Sequence, residues 1–167
     1  MRKTYPEFSL DFKTYWKNYV FQSLAAAATV FVLLLLVSIQ KKPVIIASVA
    51  ATTFIVFAMP GYITARAGNI IGGHVIGMLC GFVIPAIPLH YLMSPRVSVS
   101  LLFALAVGVS IFIMVITDTE HPPAAGTALG VAIAGFSVKI TVTILVCVTI
   151  LGAVHYFFRD KLRDLTG

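Results

Sequence analysis

Charged residues are the scarcest class in this chain of 167 residues. Only 11% of the residues are Asp, Glu, Lys or Arg and 59% are hydrophobic, whereas a soluble domain carries about 25% charged residues. A surface with so few charges is poorly suited to water, so the composition excludes a soluble globular protein. The sequence predicts an all-α integral membrane protein, and we expect it in the cell inner membrane.

Cysteine is also rare, and several functional signatures are missing. Cys80 and Cys147 both lie inside apolar runs, so we interpret them as buried small hydrophobes rather than as a disulfide framework. The chain has no P-loop, no dinucleotide fingerprint and no nucleophile beside a positioned base, so we expect neither an enzyme nor a cofactor. The net charge of +6 comes from basic residues at the ends of apolar segments, which favours membrane lipids over nucleic acid as partners.

Long apolar runs make up most of the chain. Residues 1–19 place aromatic side chains on one helical face, which predicts an amphipathic interfacial helix ahead of a membrane domain over residues 20–167. We expect about five transmembrane helices, at residues 20–39, 44–59, 70–92, 99–116 and 140–158. The apolar segment 127–135 is too short to cross the bilayer, and we interpret it as a half-helix opened by the His-Pro-Pro motif.

The topology stays open at this half-helix. Residues 121–136 either re-enter the membrane or continue with a kink into the last span, and the position of Lys139 decides between the two. A re-entrant turn would place Lys139 in water, whereas a kinked span would bury it. Both termini are basic, which favours an even number of crossings, while the number of predicted spans is odd.

Two polar interruptions separate the apolar spans. The first contains Arg66 and Asn69, and the second runs from Thr117 to Gly126. Irregular backbone at membrane depth is tolerated only where protein buries it or water reaches it. Polar groups there are candidates for a functional site by default.

These interruptions resemble a known family. The segment TDTEHPPAAGTAL, with the upstream segments RAGNIIGGH and SVAATT, is similar to the HPP family of small integral membrane proteins over about residues 44–158. The resemblance implies a compact helical membrane domain and a role in nitrite movement, since plant and cyanobacterial members are described as nitrite transporters. The family pattern falls here on Ser48, Arg66, Asn69, Gly72, Gly73, His74, His121, Pro122, Pro123, Thr127 and Leu129. The order Ala125-Gly126 departs from it, because many members have glycine first.

The function we expect is a transporter or channel for a small inorganic anion, nitrite-like by this resemblance. Helix N-termini and an arginine fork favour an anion at the two breaks. The candidate substrate-binding residues are Arg66, Asn69, Gly72, Gly73, His74, Thr117, Thr119, His121, Pro122, Pro123, Gly126 and Thr127. The candidates for proton coupling are Asp118, Glu120 and His121. No local chelating motif is present, so we expect no metal site.

Two alternatives remain. Asp118 and Glu120 would repel an anion, so a proton or divalent-cation pathway built on them with His74 and His121 is a second hypothesis. A third is a structural scaffold that packs through the glycines at positions 73, 77 and 81, whose spacing of four permits close helix contact. We also expect a homo-oligomer, dimer or trimer, with this glycine ridge as a candidate contact.

Overall fold

The computed structural model describes residues 5–37 and 42–166, with their side chains except those of residues 5–11 and 90. Every regular element in this part is helical, so the all-α fold class is confirmed. The α-helices are α1 (Tyr5–Leu36), α2 (Pro43–Ala58), α3 (Ala67–Val83), α4 (Pro95–Ile116), α5 (Pro122–Ala134) and α6 (Val138–Phe158). Residues 1–4 of the predicted interfacial helix and 38–41 at the end of the first predicted span lie outside the described residues.

Four of these helices are long and apolar enough to cross a membrane. The candidate spans are Phe12–Leu36, Ala67–Ala86, Pro95–Ile116 and Val138–Lys161. By contrast, α2 has 16 residues and α5 has 13. At a rise of ~1.5 Å per residue both fall short of a hydrocarbon core of ~30 Å. The second predicted span is therefore a short helix as well, which leaves four long helices where about five were expected.

Proline sets several helix ends. Pro43, Pro95 and Pro122 each occupy the first turn of a helix, where the missing N–H has no partner to lose. Further along, α3 gives way at Val83 to a 3-10 turn containing Pro85, so this helix is shorter than the predicted 70–92. The N-terminal region forms one helix with a non-helical backbone at Tyr15 (φ −118°, ψ 18°), and the domain boundary at residue 19 stays a prediction.

The two described chain ends lie on the same side of the bundle. Tyr19 donates a hydrogen bond to the carbonyl of Leu165 at 3.3 Å. Gln22 donates to the carbonyl of Arg163 at 2.8 Å and accepts from its amide at 2.9 Å. The end of α6 is there too, since the Nε2 atom of His155 lies 3.0 Å from the carbonyl oxygen of Pro60. We call this end of the bundle the termini side.

The short helix α5 crosses the bundle rather than turning back. It runs parallel to α3, because Gly73 lies beside His121 and Gly81 lies beside Ala128 and Val131. A left-handed backbone at Gly135 (φ 73°) then ends α5, and α6 returns the chain to the termini side. The six helices thus make an even number of passes, as the basic termini indicated. Lys139 is exposed in the first turn of α6, about 24 Å along the helix from His155.

The glycines of α3 let α5 approach at backbone distance. A Cβ atom on Gly81 would lie 2.6 Å from the carbonyl oxygen of Ala128, and one on Gly77 would collide with the carbonyl of Ala124. Buried side chains such as Ile70, Val131 and Ile144 fill the core around this contact. The glycine ridge is therefore occupied by the chain's own α5, and the expectation that it contacts a second copy is corrected.

Adding a methyl group on this ridge is expected to destabilise the fold. Gly81→Ala should lower the free energy of unfolding by about 1–3 kcal/mol, as overpacking does elsewhere, measured by thermal unfolding in mild detergent. Gly108→Ala is the matched control, because nothing lies within 4 Å of its added Cβ. Equal stability of the two variants would contradict the close packing of α3 and α5.

The basic residues predict the orientation. Among the basic residues that the structure describes, Lys13, Lys17, Arg66, Arg159, Lys161 and Arg163 lie on the termini side, and Lys42, Arg96 and Lys139 lie on the opposite side. The positive-inside rule then places the termini side in the cytoplasm. In oriented vesicles, a membrane-impermeant maleimide should label Arg159→Cys from the cytoplasmic side and Lys139→Cys from the other. The wild type is the control, because Cys80 and Cys147 are buried. Labelling of both variants from one side would refute this topology.

Candidate functional site

The two polar interruptions meet on the termini side. The side-chain amide of Asn69, in the first turn of α3, donates to the carbonyls of Asp118 at 3.2 Å and Glu120 at 3.4 Å. A Cβ atom on Gly72 would lie 3.0 Å from the side chain of Thr119. The backbone carbonyls of the second break therefore hold it against the start of α3 through hydrogen bonds from Asn69.

This contact places the His-Pro-Pro motif deeper in the bundle than the first residue of α3. A Cβ atom on Gly73 would lie 2.8 Å from the Cβ of His121. Gly73 follows Ala67, the first residue of α3, by six positions, which is about 9 Å along the helix axis. Helix α5 therefore begins roughly a third of the way along the Ala67–Ala86 span.

Five polar side chains from three helices and the second break are buried together at this depth. They are Ser48, Thr52, His74, His121 and Thr127, and we call them the histidine cluster. None is more than 4% exposed. The two imidazole rings lie 5.1 Å apart between centroids, tilted by 51°.

The hydroxyl of Thr52 joins the two histidines. Its Oγ1 atom lies 3.0 Å from Nε2 of His74 and 2.9 Å from Nε2 of His121. On the far sides of the rings, Nδ1 of His74 lies 2.8 Å from Oγ1 of Thr127, and Nδ1 of His121 lies 2.8 Å from the carbonyl oxygen of Thr64. Thr127 in turn contacts the hydroxyl of Ser48 at 2.8 Å.

The ring hydrogens are assigned from the rule that each buried ring nitrogen has a hydrogen-bond partner, so that the hydroxyl hydrogen of Thr52 serves His121 rather than the carbonyl of Ser48. The carbonyl of Thr64 only accepts, so Nδ1 of His121 carries a hydrogen and, in the neutral ring, Nε2 accepts from Thr52. The single hydroxyl hydrogen of Thr52 is thereby used, so Nε2 of His74 must donate to Thr52. The Nδ1 atom of His74 then accepts from Thr127. The two histidines therefore have opposite tautomers.

The fixed charges lie outside this cluster. Arg66 and Asp118 are exposed, and Glu120 is half-buried with its Oε2 atom buried and without a hydrogen-bond partner. Among the described residues no ion pair joins either carboxylate to Arg66. A buried imidazolium without a counter-charge is costly, so the resting cluster is neutral.

The two helix starts differ as sites for an anion. Pro122 and Pro123 have no N–H groups, and the amide of Ala124 already donates to the carbonyl of His121 at 2.8 Å, so the first three residues of α5 offer no free amide. At the start of α3, Arg66 makes no side-chain cap. The first-turn amides there, at residues 67–69, are the ones that favour an anion.

The structure brings most of the predicted site residues together, with exceptions. Asn69, Gly72, Gly73, His74, Thr119, His121, Pro123, Gly126 and Thr127 lie at the contact of the two breaks or in the cluster. Arg66, Thr117 and Pro122 are exposed outside it. Thr117 bonds the hydroxyl of Thr119 at 2.8 Å. Within the described region, no third His, Cys, Asp or Glu joins the two histidines into a metal-binding group.

The substrate-binding residues predicted from the sequence do not include three groups that the structure places in this site. Thr52 and the carbonyl of Thr64 were missed, and Ser48 entered only through the family pattern. A signal for two of them exists, because Ser48 and Thr52 are spaced by four and share one face of α2. Thr64 contributes only a backbone atom, for which the sequence carries no signal.

The chain matches a known protein family over most of its length. The family described as HPP, transmembrane region, matches residues 12–159. No curated protein and no solved structure matches the chain. The matched range includes the whole histidine cluster and most of the chain.

Replacing the hydroxyl of Thr127 is expected to destabilise the cluster. Thr127→Val keeps the side-chain shape but leaves Nδ1 of His74 without its donor. The free energy of unfolding should fall by about 1–3 kcal/mol, the cost of a buried unpaired polar group, as measured by thermal unfolding in detergent.

Thr53→Val is the matched control for this variant. Thr53 is equally buried, but its hydroxyl bonds only the carbonyl of Val49 within its own helix, at 3.0 Å. This change should cost less than half as much. A Thr53 variant as unstable as the Thr127 variant would show that the cluster adds nothing beyond local helix bonds.

Proposed function

The chain belongs to the HPP transmembrane family, and on that premise we propose that this integral membrane protein transports a small anion. The family resemblance suggests nitrite as the substrate. The observation that carries the proposal is the histidine cluster, a polar group buried between α2, α3 and α5 at the depth of a membrane span. Polar side chains at such depth are rare in membrane proteins and mark substrate or ion pathways.

The chemistry of the cluster suits a small anion. Three hydroxyls and two imidazole rings form one buried hydrogen-bonded network, and each of the five groups carries a hydrogen that it can donate to an anion's oxygen atom. The cluster carries no fixed negative charge that would repel an anion. At present the donors are bonded to one another, so the substrate binds by replacing some of those contacts.

The closure of the cluster favours a transporter over an open channel. His74 and Thr52 are 0% exposed, so neither water nor an ion reaches them in this conformation. Helix α5 is short and has non-helical segments at both ends, at residues 117–121 and 135–137. We propose that a movement of α5 between these two segments opens the cluster to one side at a time.

The access route on the termini side starts at Arg66. Its exposed guanidinium and the first-turn amides of α3 attract an anion towards Asn69, which borders the cluster. Asp118 opposes this attraction, but it is exposed and its charge is screened by water and salt. In this proposal Arg66 raises the rate of anion capture and does not form the buried site itself.

Glu120 favours a second candidate function, a pathway for protons alone. Its Oε2 atom is buried without a hydrogen-bond partner, one residue before His121. A carboxylate in this position can pass a proton to the histidines. Proton flux in the absence of any transported anion would favour this candidate.

The proposal includes a homo-oligomer in the cell inner membrane. A chain of this size encloses a pathway poorly by itself, and we propose a dimer or trimer. Since the glycine ridge of α3 is occupied by α5, the contact between copies lies elsewhere, on an apolar helix face.

The role of Arg66 is tested by anion flux into proteoliposomes. Arg66→Ala should lower the initial rate of nitrite uptake by about tenfold at low ionic strength, because electrostatic steering is lost, and by less in high salt. Arg96→Ala is the matched control, an exposed arginine on the opposite side. Nitrate, chloride and protons complete the panel. An Arg66 variant that transports at the wild-type rate in low salt would overturn this role, and absence of any anion flux would overturn the function.

A further inference from the structure

The histidine cluster has fewer hydrogens than its contacts require. Seven hydrogen-bonding contacts join its five side chains to one another and to three carbonyls. With both rings neutral, three hydroxyls and two imidazoles supply one hydrogen each, so five hydrogens serve seven contacts. Two contacts therefore lack a hydrogen at any moment.

The vacant contacts lie at Ser48. Its hydroxyl faces both Thr127, at 2.8 Å, and the carbonyl of Pro123, at 2.5 Å, but has one hydrogen for the two. Its own carbonyl lies 3.0 Å from the hydroxyl of Thr52, whose hydrogen is directed to His121. An added proton can fill one of these contacts.

Either histidine can accept that proton. On Nε2 of His121 it donates to Thr52, and the Thr52 hydrogen then turns to the carbonyl of Ser48. On Nδ1 of His74 it donates to Thr127, after which Thr127 donates to Ser48 and Ser48 to the carbonyl of Pro123. Each arrangement fills six contacts instead of five, so the two rings are alternative sites for one proton.

The hydroxyl of Thr52 allows the proton to pass between the rings. When His74 holds it, the Nε2–H bond of His74 and the Oγ1–H bond of Thr52 break together. A new Oγ1–H bond forms on Thr52 and a new Nε2–H bond forms on His121. His74 is left neutral with its hydrogen on Nδ1, and His121 becomes the imidazolium.

A protonated cluster needs a counter-charge that its surroundings do not supply. Helix α2 faces it with the hydroxyls of Ser48 and Thr52, and α4 faces Gly73 with Met114. The side chain of His155 on α6 is bonded to Pro60 instead. The carboxylates nearest in the chain are Asp118, which is exposed, and Glu120, whose Oε2 atom is buried without a hydrogen-bond partner. Within the described residues neither makes an ion pair with either ring. The transported anion is the missing partner.

We propose that the cluster binds one proton together with each anion, shared between His74 and His121 through the hydroxyl of Thr52. This inference rests on the proposed function and deepens it, because it makes the protein a proton–anion symporter. The anion stabilises the imidazolium and the imidazolium stabilises the anion, so each strengthens the binding of the other by the same factor. For a monovalent anion the pair carries no net charge across the membrane.

The electrical character of transport tests the inference directly. Nitrite uptake by wild-type proteoliposomes is measured with an imposed pH gradient, and separately with a potassium diffusion potential set by valinomycin. Protein-free liposomes correct for leakage of nitrous acid. We expect a pH gradient, alkaline inside, to drive accumulation and the potential to leave the rate unchanged. Uptake driven by the potential and indifferent to the pH gradient would overturn the symport while leaving anion transport intact. The absence of nitrite uptake under every condition would overturn both.

Variants at Thr52 test whether its hydroxyl passes the proton between the two histidine rings. Thr52→Val removes the hydroxyl at similar volume and should slow proton-coupled uptake by about 100-fold, the lower end of what a positioned proton-transfer group contributes. Thr52→Ser keeps the hydroxyl and should retain most of the rate. Thr53→Val, a buried neighbour outside the cluster, is the control for folding and insertion.

Two outcomes would contradict proton transfer through the hydroxyl of Thr52. Thr52→Val transporting at the wild-type rate with the same pH dependence is the first. Thr52→Ser failing as severely as Thr52→Val, while Thr53→Val stays active, is the second. If Thr52→Val does not assemble, the serine variant and the electrical measurement on the wild type still decide the question.

Discussion

The hydroxyl of Thr52 is the point on which this structure depends. A bilayer offers no water to buried polar groups, so each must find its partner within the protein. Two histidines from different helices find theirs in one hydroxyl, at 3.0 and 2.9 Å. Because the hydroxyl of Thr52 lies deeper in the bundle than the first residue of α3, the second break has to extend into the bundle to bring His121 to it. The glycines of α3 and the short length of α5 follow from the same requirement.

Much of this arrangement could be predicted from the sequence, and the reasons for the remainder are physical. Low charge and long apolar runs indicated a helical membrane protein. The irregular segments around Arg66 and His121 indicated where polar groups cluster. The basic termini favoured an even number of crossings, but the number of predicted spans was odd, because α5 is too short to count as a span by composition although it runs the same way as α3. Thr52 was missed because a threonine in an apolar helix is equally suited to close packing, and only its neighbours on α3 and α5 give it a polar role.

The charged residues lie near the surface and the deeply buried polar groups are neutral, and this arrangement relates the fold to the proposed transport. Arg66, Asp118 and Glu120 lie at the rim of the cluster, where water and headgroups are near, while the buried groups are neutral. Neutral donors suit a pathway in which charge enters only with the substrate. In the proposed symport, the proton fills one of the two empty hydrogen-bond contacts at Ser48, and the anion that enters with it supplies the missing counter-charge. In the proposed cycle, the neutral cluster, closed to water, is the resting state.

The tautomers of the two buried histidines test most directly whether both rings share the hydroxyl of Thr52. In bilayers at neutral pH, ¹⁵N NMR of histidine-labelled protein, with resonances assigned through single His→Gln variants, reports which ring nitrogen carries the hydrogen. We predict that His121 holds it on Nδ1 and His74 on Nε2, each fixed in one form. If both rings gave the averaged signals of solvated imidazoles, the histidines would not share Thr52, and the account of the site would be contradicted.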